Sequence, residues 1–420
     1  MTGSICGSDR FVGKRFRPGA GILSRHPVSK LTLFGPARAG PARFHSPGSR
    51  QARRSPLTHL SAVLVPLLQR VLAVSDSATL LTVRTVLCSV TAFALMLLAG
   101  PWGIRQLKRR FRERIASDSA RLDQLHAGKR DTPTMGGLLI LAALVGSLLA
   151  WGDLTSRFVQ WGLLLAVGLG LLGGLDDWIK QSTRRKGLSI RQKLLGQIGL
   201  SLLVGLGLQQ QLGQHPGLLT VHWPWGGGEL WLGALFCLWC VLVLTGSSNG
   251  VNLTDGLDGL AAGCLIFCGL ALAGLTYLAG NRVFAEFLSI PHVPGAGEFS
   301  VLLGGMVGAV LGFLWFNTFP AEVFMGDCGA LPLGGLIGLG ALICRQELLL
   351  IVVGGIFVAE TLSVVAQVAS FRLLGRRVLA CAPLHNHFVF RGVHEVKIVI
   401  RFWIIAALLA IAGVASLRLG

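Results

Sequence analysis

The sequence carries little charge for its length. Only 14% of its 420 residues are Asp, Glu, Lys or Arg, whereas 52% are hydrophobic. A soluble domain carries about 25% charged residues, and the mean hydropathy here is +0.65. The composition excludes an ordinary soluble protein and predicts an all-α polytopic membrane protein.

Acidic residues are especially scarce, with 19 Asp and Glu against 38 Lys and Arg. In a soluble protein the resulting charge of +19 would indicate binding to nucleic acid. In an apolar chain, the distribution of basic residues is explained first by the orientation of the helices in the membrane. We therefore expect no nucleic-acid partner.

The nine cysteines do not form a metal or redox pattern. Cys237 and Cys240 make a CxxC, but it lies inside an apolar run and no second pair accompanies it. Cysteine in such a run behaves as a small apolar residue. Cys381, His385 and His387 could bind zinc, but their loop offers no fourth ligand to complete a tetrahedron.

Residues 1–75 differ from the rest of the chain. They hold twelve Lys and Arg, a single acid (Asp9), and many Ser, Gly and Pro. Such a segment is typical of a disordered tail, of a transit-like segment that is removed, or of a start codon assigned too far upstream. We expect residues 76–420 to form the membrane domain.

Apolar runs recur through that domain, rich in Gly and Ala as closely packed membrane helices are. We predict ten helices with loose boundaries, at 78–100, 135–151, 158–175, 194–212, 230–248, 259–279, 301–319, 330–344, 348–371 and 399–417.

The connections between these helices are strongly asymmetric in charge. Those that follow the odd-numbered helices carry twenty Lys and Arg, and those on the opposite face carry four. The positive-inside rule then places the odd-to-even connections in the cytoplasm. The same topology would put the basic extension outside, which favours its removal.

Five polar stretches fall on the predicted cytoplasmic face, one in each connection. They lie at 128–137, 176–193, 249–259, 324–329 and 382–388. The stretch 249–259 is the densest, since it holds Asn249, Asn252, Asp255 and Asp258 among three glycines. A helix cap would need only one such side chain. Charge at the end of a membrane helix indicates a functional site.

The chemistry of these stretches points to phosphate. Their carboxylates are hard oxygen ligands that suit Mg²⁺, and Mg²⁺ with one or two carboxylates and substrate phosphates is usual in phosphoryl transfer. Lys129, Arg130 and Lys193 could neutralise phosphate oxygens. Taken singly, Asp176 and Asp177 could mark only the membrane boundary, Asp327 could cap a helix, and 132–134 could only begin one. Their coincidence on one face favours a phosphosugar transferase that acts on a lipid carrier.

The motifs TPTMGG, Leu175-Asp-Asp177, NLTDGLDGLA, FMGD-x-GAL and PLH-x-HF resemble the signature set of the phospho-N-acetylmuramoyl-pentapeptide transferases. This family belongs to the polyprenyl-phosphate N-acetylhexosamine-1-phosphate transferase superfamily. The resemblance covers about residues 100–420. It implies a Mg²⁺-dependent transfer from UDP-N-acetylmuramoyl-pentapeptide to undecaprenyl phosphate that yields lipid I and UMP.

The resemblance also implies roles for single residues. Asp176 and Asp177 would engage or deprotonate the lipid phosphate, and Asp327 would be the principal Mg²⁺ ligand, with Asp177 beside it. His385 and His387 would take part in catalysis. Substrate binding would fall to Lys129, Thr132, Thr134, Lys193, Asn249, Asn252, Asp255, Asp258 and Phe324.

One position departs from the family pattern, because Asn386 stands where the family has the middle of three histidines. An amide can donate a hydrogen bond but cannot carry charge, and we expect the flanking histidines to suffice.

Two other functions stay open at this point, a relative that uses UDP-N-acetylglucosamine and, more distantly, an ion-coupled transporter. The expected location is a bacterial inner membrane, or a plastid membrane if the extension is a transit peptide. A homodimer is an open expectation.

Overall fold

The computed structural model describes residues 63–66, 77–110, 132–183, 187–215, 217–226 and 228–417. Nearly all of the extension 1–75 lies outside these ranges, so its boundary stays a prediction. Lys129 and Arg130 also lie outside the described residues.

The described part is built from helices and one short hairpin. The helices in chain order are α1 (Ser77–Arg110), α2 (Gly137–Trp151), α3 (Arg157–Ser182), α4 (Ile190–Leu212), α5 (Phe236–Thr254), α6 (Leu260–Gly280), α7 (Arg282–Phe287), α8 (Gly297–Asn317), α9 (Asp327–Ile343), α10 (Leu350–Val353), α11 (Gly355–Leu374), α12 (Leu384–Phe390) and α13 (Glu395–Ser416). The hairpin consists of β1 (Thr220–His222) and β2 (Glu229–Trp231), which pair antiparallel.

Ten of these helices have fifteen residues or more, and each matches one predicted span. Seven of them are long and apolar enough to cross a membrane, namely α1, α3, α5, α6, α8, α11 and α13. Helices α2 and α9 are apolar but shorter, and α4 has Arg191 and Lys193 in its first turn. The chain is therefore an all-α multi-pass membrane protein, as its composition predicts.

Several predicted boundaries were wrong. Helix α1 runs ten residues past 100, to Arg110, and α11 begins at Gly355 rather than at 348. The fifth span begins at Phe236 rather than at 230, because residues 229–231 form a strand. It also continues to Thr254 rather than ending at 248, since the Asn249 amide donates to the carbonyl of Thr245 one turn earlier and does not break the helix. Helix α3 runs seven residues past 175, to Ser182.

Helix α9 lies at the centre of the bundle, with all of its residues buried. It packs against α3 on one side and α5 on the other. The contact with α5 is tight, because a Cβ added at Gly334 would lie 2.5 Å from the carbonyl oxygen of Ser247. Small residues permit this approach between helix backbones. The start of α9 is thereby held between the ends of α3 and α5, and there the polar stretches meet.

Candidate active site

Three carboxylates converge where α3 ends and α9 begins. Asp176 and Asp177 are in the last two turns of α3, and Asp327 is the first residue of α9. Each offers an oxygen within 4.8 Å of the others, and all three side chains are buried. Among the described residues this is the one group of His, Cys, Asp and Glu side chains that could hold a metal ion.

Two lysines bind the cluster of Asp176, Asp177 and Asp327. Lys180 Nζ lies 2.8 Å from Asp176 Oδ2 and 2.7 Å from Asp327 Oδ2. Lys193 Nζ, from the first turn of α4, lies 2.6 Å from Asp327 Oδ2. The two ammonium groups offset most of the repulsion among the three carboxylates, which would otherwise oppose their close approach.

The backbone fixes the relative position of these acids. The Cys328 N–H donates to Asp177 Oδ2 over 3.0 Å, and the Leu188 N–H donates to Asp176 Oδ1 over 2.6 Å. Helix α3 can approach α9 because residue 173 is glycine: a Cβ there would lie 2.2 Å from the carbonyl oxygen of Asp327. The carboxylates are therefore held by two helices in direct backbone contact.

The predicted 128–137 stretch, in its described part, pairs with the 324–329 stretch. The Phe324 N–H donates to the Pro133 carbonyl, and the Gly136 and Gly137 N–H groups donate to the carbonyls of Phe324 and Met325. These bonds place the start of α2 against the residues that lead into Asp327.

The two threonines of the 128–137 stretch, Thr132 and Thr134, have different neighbours. Thr132 Oγ1 donates to the Ala321 carbonyl over 3.3 Å. Thr134 is buried near the acids, since a Cβ added at Gly326 would lie 3.0 Å from Thr134 Oγ1 and 2.6 Å from Asp177 Oδ2. Gly326 has φ of 73°, a conformation that suits glycine.

Helix α4 joins the acidic cluster to the 249–259 stretch. Gln197 lies one turn after Lys193, and its amide exchanges hydrogen bonds with that of Asn249, 2.8 Å and 3.4 Å long. The Ser248 hydroxyl donates to the Leu331 carbonyl on α9. Because α5 and α9 are antiparallel here, one further turn brings Asn252 to the level of Asp327.

Asp255 and Asp258 occupy different positions in the turn after α5. Asp255 follows the last residue of that helix and is half-buried. Asp258 is buried, and its Oδ2 accepts from the Ala321 N–H over 3.0 Å, while its own N–H donates to Glu395 Oε1. The Asp258 side chain therefore ties this turn to the connection between α8 and α9.

The histidine stretch forms the short helix α12 beside the same turn. His385 is buried, and its Nε2 lies 2.3 Å from where a Cβ on Gly256 would be. His387 is half-buried, and its Nδ1 accepts from the Ala380 N–H over 3.1 Å. Asn386 is buried, and its Oδ1 lacks a hydrogen-bond partner among the described residues.

The structure thus brings the described parts of the five predicted stretches together at one end of the bundle. A zinc site at Cys381, His385 and His387 is not among the candidate metal groups of the described part of the chain. Instead the Cys381 thiol donates to the neighbouring Ala382 carbonyl. The Asp176, Asp177 and Asp327 oxygens fit a hard cation such as Mg²⁺.

Sequence reasoning missed four residues of this site: Lys180, Gln197, Glu360 and Glu395. Lys180 stands four residues after Asp176 on one helical face, a spacing that permits an ion pair. The predicted helix ended at 175, so Asp176 and Lys180 were not expected to lie on a helix. Glu360 is a carboxylate inside an apolar run, which is itself a signal of function.

Beyond its membrane fold, the chain matches a known class of transferases. The family model described as Glycosyl transferase family 4 matches residues 159–345. Residues 129–141 match signature 1 of phospho-N-acetylmuramoyl-pentapeptide-transferase.

Curated relatives narrow this class to one family. The chain is 45% identical over 341 residues to the phospho-N-acetylmuramoyl-pentapeptide-transferase of Citrifermentans bemidjiense, covering 81% of this chain and 94% of the relative. The proteins of the same name from a Geobacter species and from Pelobacter propionicus are 45% and 44% identical over the same shares. The chain belongs to the phospho-N-acetylmuramoyl-pentapeptide-transferase family.

Proposed function

We propose that the protein transfers phospho-N-acetylmuramoyl-pentapeptide from its UDP donor to undecaprenyl phosphate, which yields lipid I and UMP. Family membership supports the reaction, and the match to the muramoyl signature favours this donor over UDP-N-acetylglucosamine. The observation that carries the proposal is the buried cluster of Asp176, Asp177 and Asp327 with its two lysines, at the end of a membrane bundle.

We assign the acceptor side of the reaction to Asp176 and Asp177. One of them engages the lipid phosphate or accepts its proton, and a phosphate oxygen then attacks the phosphorus that bears the sugar. The bond between that phosphorus and the bridging oxygen breaks, and UMP leaves with the oxygen. Lys180 and Lys193 lie where they would stabilise the charge on these phosphates.

We assign Mg²⁺ to Asp327 and Asp177. When bound, the ion would neutralise charge on the diphosphate. The carboxylate oxygens of Asp176, Asp177 and Asp327 support this assignment, since these three hard ligands lie within 4.8 Å of one another. The five predicted site acids, Asp176, Asp177, Asp255, Asp258 and Asp327, lie at helix ends rather than at mid-membrane, which speaks against an ion-coupled transporter.

We assign the uridine and diphosphate of the donor to the surface formed by Asn252, Asp255 and Phe324. Thr132 and Thr134 lie toward the phosphates, and His385 and His387 border the surface. Lys129, outside the described residues, is assigned to phosphate from the sequence alone. Asn249 and Asp258 support this surface, because their side chains bind Gln197 and the Ala321 N–H. The basic connections support a cytoplasmic orientation of this end, in a bacterial inner membrane.

The test is UMP release by purified protein with undecaprenyl phosphate and each UDP-sugar in turn, with Mg²⁺ or with EDTA. Release with the muramoyl-pentapeptide donor, abolished by EDTA and by Asp327→Asn, is the expected result. Asp153→Asn is the matched control, since Asp153 lies in the connection between α2 and α3 and binds the Thr155 N–H. Release only with UDP-N-acetylglucosamine would contradict the donor, and EDTA-insensitive release would contradict the metal.

A further inference from the structure

One buried carboxylate has no part in the reaction as described so far. Glu360 lies in the second turn of α11, where it is the one acidic residue of that helix, and is fully buried. A buried charge is costly unless it is paired and hydrogen-bonded, so the contacts of Glu360 indicate its purpose.

All hydrogen bonds and ion pairs of the Glu360 carboxylate that the structure gives are with His385. The backbone N–H of His385 donates to Glu360 Oε1 at 3.1 Å, and its nitrogen lies 3.4 Å from Oε2. His385 Nδ1 lies 3.2 Å from Oε2 in a geometry that does not make a hydrogen bond, and both side chains are at most 2% exposed. Ser363, one turn along α11, bonds the backbone carbonyl of Glu360 and not its carboxylate.

The acid determines which ring nitrogen is free. An ionised carboxylate only accepts hydrogen bonds, so its contact with Nδ1 favours the tautomer in which Nδ1 carries the hydrogen. Nε2 is then the atom available to other groups, and it faces Gly256, where a Cβ would lie only 2.3 Å away. The imidazole is held between Glu360 on one side and the turn after α5 on the other.

We infer that Glu360 is a positioning residue that fixes the tautomer and direction of the His385 ring, so that Nε2 faces the donor-binding turn. The inference rests on the proposed function for the identity of the substrate. It assigns His385 to the donor, because Nε2 faces the 255–259 turn and not the carboxylates that we assign to the lipid phosphate.

A spectroscopic test needs no activity. In Glu360→Gln the side-chain amide oxygen of the glutamine can still accept from the backbone N–H of His385. The NH₂ group of the same amide then faces the ring nitrogen Nδ1. Nδ1 must become an acceptor, and the hydrogen moves to Nε2. We expect ¹⁵N spectra of histidine-labelled protein in nanodiscs to show this exchange, with the His385 signals assigned from their loss in His385→Asn. Unchanged ring-nitrogen signals in Glu360→Gln would overturn the inference.

Kinetics give the second test. Loss of an orienting partner typically costs tenfold or more, so Glu360→Gln should raise the KM for the UDP donor about tenfold and leave the KM for undecaprenyl phosphate nearly unchanged. The double variant Glu360→Gln/His385→Asn should be no worse than His385→Asn alone, because Glu360 acts through that ring. Additive losses would show a separate structural role and overturn the inference.

Two further variants guard against misfolding. Ser363→Ala is the matched control on the same helix and should retain the wild-type KM values. Gly256→Ala pushes on the ring from the opposite side and should also raise the donor KM. If the wild type releases no UMP, the proposed function fails. If it does, and neither Glu360→Gln nor Gly256→Ala alters the donor KM, only this inference fails.

Discussion

Gly173→Ala should disable the site without touching any of its polar side chains. A Cβ at Gly173 would lie 2.2 Å from the Asp327 carbonyl oxygen and 2.7 Å from the Cys328 nitrogen. Ordinary contact begins near 3.4 Å, so α3 and the start of α9 must separate by about 1.2 Å in that direction. Both atoms belong to backbone, so no side chain can rotate to make room.

The consequence follows from the bonds that cross this contact. The separation stretches the 3.0 Å bond from the Cys328 N–H to Asp177 and shifts Asp327 away from Lys180. A misplacement of about 1 Å can cost about a hundredfold in rate, and overpacking of this kind costs about 1–3 kcal/mol of stability. We therefore expect a loss of about a hundredfold in kcat in a protein that still folds.

Gly174→Ala is the matched control, one position along the same helix. The nearest atoms to its Cβ would be Cys328 Cβ at 3.7 Å and Met135 Cε at 4.0 Å, which are ordinary contacts. Replacement of glycine by alanine raises the intrinsic helix propensity equally at positions 173 and 174. Initial rates of UMP release and thermal unfolding in detergent would be measured for both. A Gly173→Ala protein that retains most of the wild-type rate, or a Gly174→Ala protein that is equally impaired, would refute the reasoning.

Three other predictions follow from the site. Lys193→Met removes the ammonium group that pairs with Asp327 and should lower kcat about a hundredfold. Arg191→Met, in the same turn but away from the acids, should leave kcat unchanged. Equal losses in the two variants would show that the substitutions disturb helix α4 rather than the charge on Asp327. Asn386→His should leave UMP release within a small factor of the wild type, because the flanking histidines suffice, and a gain of orders of magnitude would show that the amide impairs this chain. Asn249→Ala leaves the buried Gln197 amide without its partner and should cost about 1–3 kcal/mol of stability, measured by thermal unfolding; an unchanged melting temperature would contradict this.

The helices could be predicted from the sequence because lipid demands long apolar runs. All ten predicted spans are present, and the polar stretches between them lie together at one end of the bundle. The charge asymmetry of the connections was enough to put these stretches on the same side. What failed was the position of boundaries, since Asp176, Asp177 and Asn249 looked like loop residues and lie within helices.

The partners of the site residues were harder to predict. Asn249 and Gln197 are 52 positions apart, and nothing in the local pattern of either marks the other. Glu360 could have been noticed as an acid in an apolar run, but its relation to His385 depends on the way α12 folds back against α11. The sequence alone also could not show that the Asp258 carboxylate accepts from the Ala321 N–H, 63 positions away.

The most direct measurement is the mass of the lipid product formed from undecaprenyl phosphate and UDP-N-acetylmuramoyl-pentapeptide. The account predicts a gain equal to one phospho-N-acetylmuramoyl-pentapeptide group, matched mole for mole by UMP. A lipid of unchanged mass, or one that gains the sugar without its phosphate, would contradict it.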